Sequence, residues 1–540
     1  MVSAGLPLAP SGSAPNERKA SLRAFCRRNR IPLTATLPTL PLYAVWTAFL
    51  ATGGGDLAAQ YAWARFASEH GASAYGLFWY GGMHTANYSL ISPYLMAAVG
   101  VKTVTVVSGV AGAWLVAALV ERTGIRRPLW PAVLASLAVW CNVASGRTTF
   151  ALGIAFGFAA CLMLVRERRV AAAVACATLA TMSSPVAGLF LVVAGAAYFL
   201  VRDWGRAAAL IVPPVVVVGA TTVLFPFNGE QLMPFDRIFP PVLFSLALIA
   251  AAPREWRVLR WGAGVYAAGT VLTYLIPSPI GTNVERLAEL LAPTALLAAL
   301  LLPALSRVRR IVLTVALVLS TAWVTQKTVA DLTVSTTVPK WAADTRGVVR
   351  ELDRLGADRG RVEVVPARNH REATALAPYV NMARGWNRQL DIERGRLFYD
   401  GSFSASTYRA WLDKWAVGYV VLPSGKPDGF AEDEAALVAS GPGWLEPVWR
   451  DAHWQVFRVR DSVPMVSKPA TVVRSTDSAM VVRVPSRGPV TLRLVYSRWL
   501  RAEGACLQRQ GEFTRLTVSA PGTYEISSGY GPSPSPSSCR

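Results

Sequence analysis

Apolar runs of about 18–20 residues recur along this 540-residue chain from about residue 38 to residue 330. Runs of that length match the hydrocarbon thickness of a bilayer, so the first three-fifths of the chain reads as a bundle of membrane-crossing helices. Eleven segments are expected, near 36–53, 103–120, 129–145, 149–165, 170–184, 186–201, 207–225, 240–253, 261–276, 287–305 and 311–330. Charged residues make up only 16% of the sequence, against about 25% in soluble domains.

The bases between these runs alternate. One set of connections carries Arg18, Lys19, Arg23, Arg27, Arg28 and Arg30, then Arg122, Arg126 and Arg127, then Arg166, Arg168 and Arg169. It continues with Arg202 and Arg206, with Arg254, Arg257 and Arg260, and with Arg307, Arg309 and Arg310. The opposite set holds only Arg65, Lys102, Arg147, Arg237 and Arg286. Basic loops stay in the cytoplasm, which places the amino terminus inside and, after an odd number of spans, everything beyond about 331 outside. Residues 1–32 are basic and lack a cleavable apolar core, so they read as a disordered cytoplasmic tail before an uncleaved signal anchor. The net charge of +21 therefore reflects topology. It forms no basic stripe interleaved with aromatics, which excludes nucleic-acid binding.

The spans read as essentially free of ionisable side chains, and the outer acids, Asp56, Glu69, Glu230, Asp236, Glu285 and Glu289, fall at loop level. A proton- or ion-coupled transporter would keep such groups within its spans. The longest outer connection, residues 54–102, starts Gly54-Gly55-Asp56 and contains Trp79-Tyr80-Gly81-Gly82-Met83-His84 and Tyr88-Ser89-Leu90-Ile91-Ser92-Pro93-Tyr94.

Beyond residue 330 the pattern changes. Helical spacing over 338–356 and 408–415 alternates with apolar strands at 361–365 and 417–423, predicting an extracytoplasmic α/β domain over 331–462. Period-two segments at 479–484, 490–495 and 514–518 predict a C-terminal β-sandwich over 463–528. Residues 529–540 read as a flexible tail. Cys26, Cys141, Cys161 and Cys176 suit apolar packing, while Cys506 and Cys539 could pair outside the cell. No HExxH, zinc-spaced Cys pair or phosphate-binding Gly-Lys-Ser/Thr loop is present.

An outward loop after the first span, with an early Asp and an aromatic-Gly-Gly segment before Ser-Pro-Tyr, resembles the GT-C class of integral-membrane glycosyltransferases. The exterior stretch Ala383-Arg384-Gly385-Trp386-Asn387-Arg388-Gln389-Leu390-Asp391, with Trp411-Leu412 and Gly418-Tyr419-Val420-Val421-Leu422-Pro423, resembles C-terminal domains of uncharacterised actinobacterial members. The resemblance implies a polyprenyl-phosphate sugar donor and an acid in the first outer loop, here Asp56, acting as base or metal ligand. A hydroxyl attacking an anomeric carbon needs a carboxylate to take its proton, and the leaving phosphate needs a cation. Leu57 follows Asp56, so the adjacent acid found in many members is missing. The base role is favoured, no cofactor is required, and a divalent metal (Mg or Mn) stays open. The alternative role of Asp56 is a helix cap.

Arg286 and His84 are candidates for the donor phosphate, with ion pairing to Glu285 or Glu289 as the alternative for Arg286. Trp79, Tyr80, Tyr88 and Tyr94 suit stacking on sugar or prenyl groups, or an interfacial aromatic belt. Glu230, Asp236 and Arg237 could contact substrate. His370, Arg371 and Trp386 could cover the site from the outer domain. The expectation is a polytopic plasma-membrane glycosyltransferase passing sugar to an envelope glycan, lipid or protein. The alternatives are a transporter or lipid-sugar flippase, and a non-catalytic envelope assembly protein of the same fold.

Overall fold

Every one of the eleven apolar stretches coincides with a helix in the computed structural model, which describes residues 23–166, 169–303 and 305–531. Five helices among the described residues are long and apolar enough to cross a membrane by length and composition. These are Arg30–Leu50, Val101–Arg122, Thr148–Val165, Trp204–Leu224 and Arg307–Ser335. Leu129–Ala144, Val170–Ser183 and Pro185–Leu200 are shorter apolar helices, and Phe235–Ala251, Arg257–Leu275 and Glu285–Leu300 complete the bundle. Phe49, Val107, Val216, Val223 and Val318 point outward and are exposed. A belt of large apolar side chains facing out is stable against lipid tails and costly against water. Of the tail expected over 1–32, residues 1–22 lie outside the described residues and residues 23–28 are helical. Residues 532–540, with Cys539 and its expected pairing to Cys506, also lie outside them.

The connection over 54–102 folds. It forms the Asp56–Glu69 helix, the paired two-residue strands Tyr75–Gly76 and Met83–His84, and the Ser92–Val99 helix. Trp63, Phe66, Phe78 and Trp79 are fully buried here, with Trp63 edge-on to Phe78 and Trp79 at 5.1 and 5.9 Å. The same cluster includes Val362, Met382 and Val421 of the domain that follows the helical bundle. Each such side chain contributes about 1.5–3 kcal/mol of burial, so the 54–102 connection and the domain that follows the helical bundle share one core.

That domain has a four-stranded sheet in the order Arg361–Val364, Val417–Pro423, Trp454–Val459, Leu445–Arg450; the first pair is parallel and the others antiparallel. The Arg346–Arg354, Ala405–Lys414 and Glu432–Ser440 helices flank it. In its core, Arg384 donates to both Asp391 oxygens at 2.9 and 2.7 Å and to Glu434 Oε2 at 2.8 Å. Fully buried Glu363 lies against Glu434, and neither Glu363 oxygen finds an N–H or O–H donor. Burial first, and the Glu434 charge second, hold the Glu363 carboxyl well above the usual range, so it stays protonated in the fold. The folded state therefore binds more protons than the unfolded chain above about pH 4.3, and stability is complete below that value and lost as pH rises. Glu363→Gln is expected to flatten this decline, measured as apparent melting temperature of the whole protein from pH 5 to pH 8. A variant with the wild-type slope would contradict it.

The C-terminal residues form two antiparallel sheets. One has the order Leu500–Ala502, Gly522–Ser528, Met480–Val484, Thr471–Ser475; the other has Ala505–Gln510, Phe513–Val518, Gly488–Val495. Their alternate residues, including Met480, Val482, Leu492, Leu494, Leu516 and Ile526, share a single core. Ser73, Tyr75 and His84 hydrogen-bond to Ser528, the Val495 carbonyl and Ser497 respectively, so the 54–102 connection is wedged between both β-containing units.

Candidate active site

Asp56 is the first residue of its helix, preceded by Gly55 at φ +62°. An acid there complements the helix dipole, and the left-handed glycine turns the chain so that the carboxylate leaves the helix axis. Its Oδ2 lies 3.8 Å from Arg147 Nε and 4.0 Å from Arg286 Nη2. It accepts no hydrogen bond from another described residue, and its side chain is 35% exposed. Both contacts are ion pairs at the outer limit of range, and neither is a hydrogen bond.

Arg147 reaches this position from the short turn between Leu129–Ala144 and Thr148–Arg166. Gly146, at φ +77°, makes the turn, and a Cβ there would meet Leu57 Cγ at 2.9 Å. Arg147 donates to Glu289 Oε2 at 2.6 Å and to Asp331 Oδ2 at 3.3 Å. Burial disfavours its charge, but Glu289, Asp331 and Asp56 outweigh burial and raise its pKa above the ordinary range. Lys327 lies between Glu285 and Glu289, in contact with both, and 4.9 Å from the Trp323 ring. Arg237 stands 3.9 Å from Glu285. Arg286 is different. Its guanidinium sits 5.3 Å over the Phe150 ring, makes no hydrogen bond to a described residue, and forms part of the wall of a cavity of about 170 Å³ that Asp56 itself does not line. Thr282 and Asn283 complete the cavity wall.

Of the residues singled out by sequence, the structure brings together Asp56, Arg286 and Arg237. Tyr88 stands beside them, stacked on Trp63 at 5.6 Å and paired through its hydroxyl with Gln60; burial and then the Asp56 charge hold its phenol protonated. The others lie elsewhere. His84 is enclosed by Tyr75, Phe225 and Ser497, and burial, then Arg394, push its pKa down to about 4, so it carries no charge for a phosphate. Trp79 and Tyr80 are buried, and Tyr80 accepts from the Asn387 amide at 3.0 Å. Glu230 pairs with Arg396 at 3.0 Å, Asp236 points outward beside Arg237, and Tyr94 bonds Tyr530. His370, Arg371 and Trp386 do not line the cavity; Arg371 and Trp386 grip the backbone just before Asp56, and His370 stacks on Trp386.

One expectation is corrected. The helices are not free of ionisable groups: Glu289 lies on Glu285–Leu300, and Lys327 and Asp331 on Arg307–Ser335. The latter helix has 29 residues, about 44 Å at 1.5 Å per residue and longer than the apolar core. A hydropathy window merges its final polar turns into the apolar run. Arg147 and Arg286 carried a readable signal, since both belong to the sparse set of five bases on alternate connections and stand at the starts of helices.

A family model described as a domain of unknown function (DUF8823) matches residues 467–540. No curated protein matches the chain. Among solved structures, it is similar to arabinofuranosyltransferase AftD from Mycobacteria, with TM-score 0.43, 14% identity, and coverage of 85% of this chain and 41% of that one. A single-substitution variant of AftD gives TM-score 0.43, 13% identity, 85% and 43%. The chain thus spans less than half the length of these proteins.

Proposed function

We propose that this protein is a cell-envelope glycosyltransferase that moves a sugar from a polyprenyl-phosphate donor to an acceptor hydroxyl at the outer membrane face. The observation carrying this reading is the Asp56 carboxylate, without a hydrogen bond of its own, beside Arg286, which lines the cavity. Asp56 takes the acceptor proton as the new C–O bond forms at the anomeric carbon. The bond from that carbon to the phosphate oxygen breaks, and the phosphate leaves with the electron pair and its negative charge. Arg286 stabilises that charge, and its planar fork suits two phosphate oxygens. Arg147, tied to Glu289 and Asp331, holds its own guanidinium in place beside Asp56. Single displacement inverts the anomeric configuration. The exposed apolar face of Arg307–Ser335 around Val318 and Val329 is the proposed seat of the prenyl chain.

This reading takes all eleven helices as spans, with the amino terminus inside and both β-containing units outside. The support is the excess of bases on alternate connections. A divalent metal at Asp56 does not fit these residues. Any ion there would sit between two guanidinium groups, and the neighbouring Glu289 and Asp331 oxygens already face Arg147 and Lys327. Turnover is therefore expected to survive a chelator unchanged, measured as product formed with and without EDTA; loss restored by Mg or Mn would reverse the assignment.

The test is transfer by purified full-length protein from synthetic prenyl-phosphate sugars to a glycan or lipid acceptor. A second reading, a transporter, draws on the chain of charges Glu285, Lys327, Glu289, Arg147 and Asp331 within the bundle. Flux of labelled lipid-sugar across vesicles with no glycosidic product would favour it.

A further inference from the structure

We infer that Trp386 and Arg371, on the outer α/β domain, are positioning residues that set where the Asp56 carboxylate stands. The inference rests on the reading of Asp56 as the base. The turn before Asp56 is held almost entirely from outside its own segment. Arg371 donates to the Thr52 carbonyl at 2.6 Å, to Thr52 Oγ1 at 2.6 Å and to the Ser335 carbonyl at 2.7 Å. The Gly55 amide donates to the Asn369 carbonyl at 2.8 Å, and Trp386 Nε1 donates to the Gly55 carbonyl at 3.1 Å. Thr374 Oγ1 donates to the Ala58 carbonyl at 2.9 Å. Both backbone polar groups of the residue before Asp56 are thus bonded to the outer domain.

The grip is itself braced. His370 lies flat on the Trp386 ring, 3.5 Å centroid to centroid at 14°, in a left-handed conformation at φ +53° that is uncommon outside glycine. Arg388 covers Trp386 at 5.1 Å and is paired with Asp428 at 2.7 Å. From the other side, a Cβ on Gly54 would lie 2.7 Å from the Ser335 carbonyl and 2.9 Å from Arg371 Nη2, so only glycine admits the approach. Asp56 has no hydrogen bond fixing its own side chain, so its location follows from this backbone clamp. A base displaced by about 1 Å can lose two orders of magnitude in rate.

The experiment uses the full chain in nanodiscs and compares wild type with Trp386→Phe, which keeps the ring stack and removes the N–H donor. Amide exchange across residues 52–60 should rise about fivefold, the loss of one neutral hydrogen bond, and carbodiimide labelling of Asp56 should change rate, with the melting temperature unaltered. With a donor that the wild type uses, kcat should fall about 10–100-fold while donor KM holds. Gly54→Ala, which opens the clamp from the membrane side, should give the same signature. Wild-type exchange and labelling in both variants would overturn the inference. So would faster exchange with unchanged kcat while Asp56→Asn is inactive. Full activity of Asp56→Asn would instead remove the base assignment, with the exchange result still deciding whether the clamp holds the turn.

Discussion

Asp56→Asn is expected to lower the turnover number about 10²–10⁴-fold, the usual worth of a general base, with little change in donor KM. Asparagine keeps the size of the side chain and its place at the start of the Asp56–Glu69 helix, so the loss falls on proton acceptance. Arg147 keeps its bonds to Glu289 and Asp331 in the variant, and Arg286 keeps its place over Phe150, so the donor phosphate still finds its cation. Steady-state rates with a prenyl-phosphate sugar decide the matter. A variant with wild-type kcat would remove Asp56 from the chemistry, and a raised KM with unchanged kcat would make it a binding group.

Arg384→Met should destabilise the outer domain by about 3–5 kcal/mol, the range for breaking a buried ion pair by removing one partner. Arg384 is 1% exposed and bonds Asp391 twice and Glu434 once, with the Phe398 ring at 4.0 Å. Methionine replaces its bulk but leaves two buried acids without their cation, beside a Glu363 that must already stay protonated. Unfolding followed through outer-domain tryptophan emission should shift strongly toward lower denaturant. A shift no larger than that of a surface substitution would show that the acids simply take up protons at little cost.

The helical segments were legible because an apolar run of bilayer length can satisfy its backbone in lipid only as a helix. Strands such as Val417–Pro423 were legible because buried β-branched runs between polar turns are distinctive. The Asp56–Glu69 helix was missed since its polar and aromatic residues show little sidedness in sequence, and its apolar side chains are claimed by contacts far along the chain. Asp56 and Arg286 could be named from position and charge. Glu289 could be named only as a loop acid, and Lys327 and Asp331 not at all, because pairing between helices hides charges that a one-dimensional scan averages away. His84 failed for a different reason: a loop histidine looks available until the partner that buries it, here around Ser497, is known.

The Thr52 hydroxyl, which donates to the Ser335 and Thr336 carbonyls at 2.9 and 2.7 Å, sits where the first helix ends and the last one leaves the bundle. Its partners follow it by 283 and 284 residues, and Trp386 follows Gly55 by 331. A ribosome reads those stretches in order, so the loop bearing the carboxylate is made long before anything exists to seat it. Made early and finished late, that loop stays unseated throughout synthesis of the bundle and is held only when the second half of the chain folds back onto it.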